Sequence, residues 1–137
     1  LEGVYPLWKQ DTKTLLKEFL DLGFKAITVC VNAKLLDESF VGRVIDEQFI
    51  ADLPEGVDVC GENGEFHTFV FDGPIFTKPV PFQVGEKVLR TYTANRDTSD
   101  DNCGNYINKN NEDCYKEKKD QETWDTGFWY CDLKISD

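Results

Sequence analysis

The feature that most constrains the fold is an amphipathic stretch followed at once by an apolar run. Residues 11–23, DTKTLLKEFLDLG, carry Leu and Phe at helical spacing, with Asp11 at an N-cap position and Gly23 where a left-handed C-terminal residue belongs. Residues 25–31, KAITVCV, are β-branched and almost continuously apolar. This pattern is typical of a strand buried on both faces of a parallel or mixed sheet. The pair predicts an α/β (α+β) fold with a mixed sheet and flanking helices.

Shorter elements are predicted along the rest of the chain. They are a helical turn at 36–40, a helix at 46–53, a loop at 55–65, a strand at 66–71, a proline-broken extended segment at 73–82, and strands at 87–93 and 127–135. The last two strands are expected to form a hairpin. The polar stretch between them, 94–125, is rich in Asn, Asp and Lys, and we expect a long, mobile insertion there.

Charge and cysteine usage exclude several classes of function. The net charge is -11, so binding to nucleic acid or to an anionic membrane is disfavoured. The five cysteines are widely spaced and form no C-x-x-C motif, which predicts no metal site and a reducing, cytoplasmic location. Cys30 is expected in the core. Cys60 is a candidate nucleophile, but no basic neighbour in sequence lowers its pKa, so a packing role is favoured.

The segment GENGEFHT contains the strongest signal for a site. Asn63-Gly64 is typical of the centre of a type I′ turn, which requires positive φ at both residues. In such a turn Glu62 and Glu65 would face each other, and like charges there are destabilising. Such a facing pair is consistent with a bound cation or a donor-rich ligand. A plain turn with two solvated glutamates is the alternative.

Three further residues have two readings each. His67, the one histidine, is either a hydrogen-bonded strand residue or a group that titrates near neutral pH. Arg43 either pairs with Asp46 or Glu47 at the surface or binds a carboxylate or phosphate. Trp8 is either a core residue or a stacking surface. No phosphate-loop motif of the G-x-x-x-x-G-K-[ST] or G-x-G-x-x-G type is present.

Four segments resemble the diphthine–ammonia ligase family of ATP pyrophosphatase-type amide synthases. They are YPLW at 5–8, LDESFVGRVID at 36–46, DLPEGVDVCGENGEFHTFVFDGPIF at 52–76 and GFWYCDL at 127–133. The family joins a Rossmann-like nucleotide domain, which opens with an SGGKDS-type loop, to a smaller C-terminal domain. The resemblance implies that residues 1–137 correspond to that C-terminal, substrate-side domain. Because the sequence begins at Leu1 and has no Met, we expect a piece of a longer protein.

The resemblance implies conversion of a carboxylate to an amide through an acyl-adenylate. ATP, with Mg, would be held mainly by the missing N-terminal domain, and ammonia would displace AMP. Glu62 and Glu65 would be catalytic, holding a substrate cation or ammonium. The remaining site residues implied, as substrate-binding, are Trp8, Arg43, Gly61, Asn63, Gly64, His67 and Thr68.

The glycine–glutamate block departs from part of the family. Archaeal and eukaryotic members tend to have GEGGE-[FY]-E-T, whereas Asn63 and His67 are similar to bacterial relatives. This leaves the carboxylate substrate open, between the modified histidine diphthine and another acid. A homo-oligomer is possible. The alternatives to a ligase domain are a non-catalytic acidic binding module derived from it and an α/β fragment without activity.

Overall fold

The computed structural model describes residues 3–93 and 126–136, so the predicted insertion at 94–125 lies outside the described residues. The elements in chain order are α1 (Thr12–Asp21), β1 (Lys25–Asn32), a 3₁₀ helix (Glu38–Phe40), α2 (Glu47–Asp52), β2 (Phe66–Asp72), β3 (Phe82–Tyr92) and β4 (Thr126–Ile135). The predicted helices and strands are confirmed, except that β3 begins earlier than predicted. Its first residue directly follows Pro81, the last residue that lacks a backbone N–H for the ladder.

Both ends of α1 are fixed by the residues that predicted it. The Asp11 carboxylate accepts a hydrogen bond from the Thr14 N–H at 2.9 Å. Gly23 has φ +82°, and the next N–H, of Phe24, donates to the Phe19 carbonyl at 3.2 Å. The rings of Phe19 and Phe24 stack with centroids 5.0 Å apart. This is the hydrophobic contact that accompanies a Schellman motif, and it directs the chain from α1 straight into β1.

The sheet has the strand order β2-β1-β4-β3, and its three strand pairs are all antiparallel. The α+β class is confirmed, but the predicted parallel or mixed pairing is wrong. The apolar run of β1 indicated a strand buried on both faces. β1 has that burial here, but in an antiparallel sheet. Helices cover one face, while the rings of Phe69 and Phe82 meet 6.1 Å apart on the other. Residues 42–45 also pair with the first half of β1, through an isolated bridge from Val44 to Ile27.

The core lies between the helices and one face of the sheet. Its buried residues are Leu16, Ala26, Val31, Leu36, Phe40, Val41, Ile45, Phe49, Val59, Phe66 and Cys131. Phe49 of α2 is at the centre, edge-on to Phe40 at 5.7 Å and to Phe66 at 5.6 Å. Cys30 is also buried, as predicted. Within the described part of the chain, helices are too short or too polar to cross a bilayer.

Candidate functional site

The loop between α2 and β2 is fastened to the first turn of α1. Asp58 Oδ2 accepts a hydrogen bond from the Thr12 hydroxyl at 2.6 Å, and its Oδ1 accepts one from the Cys60 N–H at 2.8 Å. The Cys60 thiol in turn donates to the Thr12 carbonyl at 3.3 Å. Two elements far apart in sequence therefore hold the glycine–glutamate block in one place. The sequence signal for this clamp is the short-range turn chemistry of Asp, which bonds backbone two residues on.

Glu65 organises the loop from inside. Its side chain is buried, with the residue only 2% exposed, and it accepts hydrogen bonds from the Asp58 N–H at 3.1 Å and the Asn63 N–H at 2.8 Å. The Asn63 side-chain amide donates a third at 3.0 Å. Burial favours the neutral acid, but these donors outweigh it, so the pKa of Glu65 lies below its ordinary value. Glu65 is thus a charged, satisfied group that shapes the loop.

The predicted type I′ turn is wrong. Positive φ is found at Gly61 (+72°) and Gly64 (+83°), not at Asn63, and the Gly64 N–H donates to the Gly61 carbonyl at 3.2 Å. Glu62 and Asn63 are therefore the two central residues of the turn. Glu62 is exposed at its tip while Glu65 is buried, so neither the facing pair nor the pair of solvated glutamates is formed. The strand begins only at the residue after Glu65, and its partner is β1.

Gly61 is required on two independent grounds. Besides its positive φ, a Cβ on this residue would lie 2.8 Å from the Phe66 carbonyl oxygen and 3.1 Å from its ring. A Cβ on Gly64 would meet nothing within 4 Å. Close approach of the loop to the start of β2 thus selects glycine at the first position, and backbone conformation alone selects it at the second.

Glu62 lies where two cavities adjoin. The first, of about 440 Å³, is bounded by α1 and by β1 and β2, and its lining includes Leu15, Phe19, Phe24, Phe66, Thr68 and Val70. The second, of about 560 Å³, runs along residues 4–10 and is lined by Tyr5 and Trp8 among others. Leu7, Leu15, Cys60 and Glu62 line both. We call the two together the Glu62 groove: an apolar trough with aromatic residues in both parts and the Glu62 carboxylate between them.

The structure places some of the predicted binding residues in the Glu62 groove and others outside it. Trp8 is 72% exposed, so the core reading is wrong and the residue is available as a stacking surface of the Glu62 groove. Thr68 lines the same groove. His67, its neighbour on β2, points to the opposite face of the sheet, where it is exposed and pairs in register with Cys30. His67 therefore does not join the groove.

Arg43 is committed to a structural role. Its guanidinium pairs with Asp52 at 2.5 Å, rather than with Asp46 or Glu47, and lies 5.8 Å from the Phe40 ring centroid and 5.6 Å from that of Phe49. Asp46 instead caps α2. Arg43 is absent from the lining of the Glu62 groove.

No nucleophile or metal centre emerges from the described residues. Burial, followed by the nearby charges of Asp58 and Glu62, raises the pKa of the Cys60 thiol, which supports the packing role predicted for it. Within residues 3–93 and 126–136, no group of three or more His, Cys, Asp or Glu side chains is arranged to hold a metal ion.

Comparison with known proteins identifies the family of this chain. Residues 11–98, more than half of the chain, match the family model of the diphthamide synthase C-terminal domain. The chain belongs to this family. The diphthamide synthase C-terminal domain match covers α1, the clamp at Asp58 and the whole glycine–glutamate block, whereas Trp8 lies before it.

Curated relatives carry the name diphthine–ammonia ligase. The human protein is 33% identical over 99 residues, and the zebrafish protein is 34% identical over 99. That of the fission yeast Schizosaccharomyces pombe is 30% identical over 84. The human match covers 69% of this chain but 37% of the relative, and the zebrafish match covers 39% of its relative. The chain thus spans under half the length of these curated relatives.

Proposed function

We propose that this chain is the substrate-side domain of an ATP-dependent ligase that converts a carboxylate to an amide with ammonia. The support is the family and the name that its relatives carry. In the proposed reaction a carboxylate oxygen of the acyl substrate attacks the α-phosphorus of ATP, and pyrophosphate leaves. Ammonia then attacks the acyl carbon, the bond to AMP breaks, and the nitrogen loses a proton.

The single observation that carries the site assignment is the exposed carboxylate of Glu62 between apolar and aromatic walls. Glu62 shares one cavity with Tyr5, Trp8 and Lys9; its carboxylate attracts a cation by charge, and aromatic rings attract a cation through their faces. Diphthine carries a quaternary ammonium group, so Glu62 would hold the cationic end of such a substrate. Glu65 would act as a positioning residue, because its oxygens are occupied by the loop's own donors.

ATP and its Mg do not fit this groove. The acidic side chains in its apolar part are Glu18 and Glu62, which repel a polyphosphate, and the sequence has no phosphate loop. We therefore assign ATP to the nucleotide domain that the resemblance implies, and we route no step of its binding through the residues of this chain. The groove's part is to bind the acyl substrate and present its carboxylate.

The test uses the longest natural protein that contains this chain. Carboxylate-dependent ATP–pyrophosphate exchange reports the first step, and ammonia-dependent AMP release reports the second. We expect Glu62→Gln to raise the KM for the acyl substrate at least about tenfold, the loss of roughly one charged contact. Glu55→Gln, at an exposed glutamate outside the groove, is the matched control and should leave both rates unchanged.

Two outcomes overturn the proposal at different levels. Full activity in Glu62→Gln would remove the site assignment while leaving the reaction. Absence of exchange with every carboxylate tested, in a protein that still binds quaternary ammonium compounds, would favour the non-catalytic acidic binding module instead.

A further inference from the structure

Strand β3 is one of the two edge strands of the sheet that the structure describes, and β2 is the other. Strand β3 is the longest strand, at 11 residues, and among the described residues it pairs with β4 alone. An edge strand presents unpaired N–H and C=O groups that can extend the sheet into another chain. Apolar side chains are exposed along this edge, with Val88 at 39% and Tyr92 at 48%. The register shift against β4 falls between Val84 and Lys87, and the regular ladder with β4 runs from Lys87 to Tyr92, with Glu86 directly before it.

The charge pattern of β3 is self-complementary in one register. When a strand pairs antiparallel with a second copy of itself about a two-fold axis, one residue faces its own counterpart and the others pair symmetrically around it. With Val88 facing Val88, Glu86 of each copy lies opposite Arg90 of the other. The pairing therefore contains two opposite-charge pairs and an apolar centre, all of which stabilise a cross-strand ladder.

The neighbouring symmetric registers lack this match. Centring on Lys87 or Arg90 places two like charges directly opposite each other, and centring on Leu89 leaves Glu86 and Arg90 opposite uncharged residues. In the register centred on Val88, Lys87 needs no opposite charge on the second copy, because its ammonium donates to the Glu38 carbonyl of its own chain at 3.0 Å. Like-charge repulsion thus disfavours the registers centred on Lys87 and Arg90, and the gain of two opposite-charge pairs favours Val88 over Leu89.

We propose that β3 pairs antiparallel with β3 of a second copy of this chain, centred on Val88, to form a two-fold dimer with a continuous eight-stranded sheet. The proposal is independent of the ligase assignment. The dimer axis lies at the edge of the sheet, and no lining residue of the Glu62 groove belongs to β3, so the two sites do not share side chains.

A charge swap tests the register by sedimentation velocity on the 137-residue chain. We expect a concentration-dependent dimer. Glu86→Arg and Arg90→Glu should each raise its dissociation constant about tenfold or more, because each single change converts both symmetric pairs from opposite to like charge. The double variant E86R/R90E should return it to near the original value. Lys134→Glu, an exposed charge reversal on β4, is the matched control and should leave it unchanged.

Recovery in the double variant separates an interface effect from a folding defect, since a misfolded single variant would not be repaired by the second change. Amide hydrogen exchange adds a second measurement, with outward N–H groups of residues 86–90 gaining protection as the dimer forms. A monomer at all concentrations would overturn the proposal. So would a dimer that all three variants leave intact, or a double variant no better than the singles.

Discussion

At the scale of single residues, Glu62 and Glu65 have separate roles despite their proximity in sequence. Glu65 is buried with three donors on its carboxylate, while Glu62 is exposed. We expect Glu65→Gln to lower the free energy of unfolding by about 1–3 kcal/mol, because an amide nitrogen would face an N–H donor. Glu62→Gln should change it by less than about 0.5 kcal/mol. Urea unfolding of both variants measures the difference, and equal effects would contradict the assignment.

The same carboxylate makes stability depend on pH. The pKa of Glu65 is lower in the folded chain than its ordinary value, so the unfolded chain binds its proton more readily. Its contribution to stability is therefore fully present above the unfolded pKa of 4.5 and is lost as pH falls through the lower folded value. The gap in unfolding free energy between the wild type and Glu65→Gln should be widest near pH 7 and should narrow below about pH 4. A gap that does not vary between pH 7 and pH 3 would contradict this account.

Two glycines in one loop should respond differently to the same substitution. Gly64→Ala meets no neighbour and should cost about 1–2 kcal/mol from positive φ alone. Gly61→Ala carries the same backbone cost and also places a Cβ 2.8 Å from the Phe66 carbonyl oxygen. It should therefore be the more destabilising of the two. Differential scanning calorimetry gives the order, and a larger loss at Gly64 would mean that the loop relaxes away from β2.

At the scale of elements, the hydrogen bond from Thr12 to Asp58 joins α1 to the loop. We expect Thr12→Val to cost about 1.5 kcal/mol of stability, the range for a bond to a charged acceptor. Thr14→Val is the matched control in the same turn of the same helix. Its hydroxyl also bonds an aspartate, but in an exposed position, so the loss should be smaller. Thermal melts compare the two, and equal shifts would show that the clamp adds nothing beyond helix propensity.

Elements with local signals were predictable from the sequence, and contacts between elements were not. Asp11, Gly23 and the leucine spacing define α1 because caps and periodicity act within one or two turns. The inward turn of Glu65 depends on N–H groups of a loop fastened to Thr12, 46 residues before Asp58. Asn63-Gly64 predicted the wrong turn because a local pattern does not include the long-range bond from Thr12 to Asp58, and the positive φ lies at Gly61 and Gly64 rather than at Asn63.

The burial of β1 was easier to predict than the strand pairing that produces it. The run of β1 indicated a strand covered on both faces, which is confirmed, but continuous apolarity does not distinguish parallel from antiparallel partners. Trp8 shows the converse: an aromatic residue is usually read as core, yet this one lies on the surface of the Glu62 groove. Of the residues singled out from the sequence, Glu62, Thr68 and Trp8 line the groove, while Arg43 and His67 do not.

At the scale of the whole molecule, the sign of the charge decides which ligands the chain can take. Its net charge is -11, and the groove presents the exposed carboxylate of Glu62 beside Tyr5 and Trp8. A cation gains from both the local carboxylate and the overall field, whereas a polyphosphate is repelled by both. We therefore expect the 137-residue chain to bind tetramethylammonium weakly, at millimolar concentration, and to show no ATP binding at micromolar concentration.

Calorimetry for ATP and quenching of Trp8 fluorescence for tetramethylammonium test this selectivity on the same chain. Because the attraction is electrostatic at an exposed site, raising the salt from about 50 to 500 mM should weaken tetramethylammonium binding, and Glu62→Gln should weaken it further at low salt. Trp8→Phe keeps an aromatic face but removes one of the three tryptophans of the chain, so loss of the quenching in this variant assigns it to Trp8. Glu55→Gln reduces the net negative charge equally and should have little effect, since its carboxylate lies outside the groove.

Micromolar ATP affinity would place the nucleotide site on this domain. Equal losses in Glu62→Gln and Glu55→Gln would mean that the overall field, rather than the groove, attracts the cation.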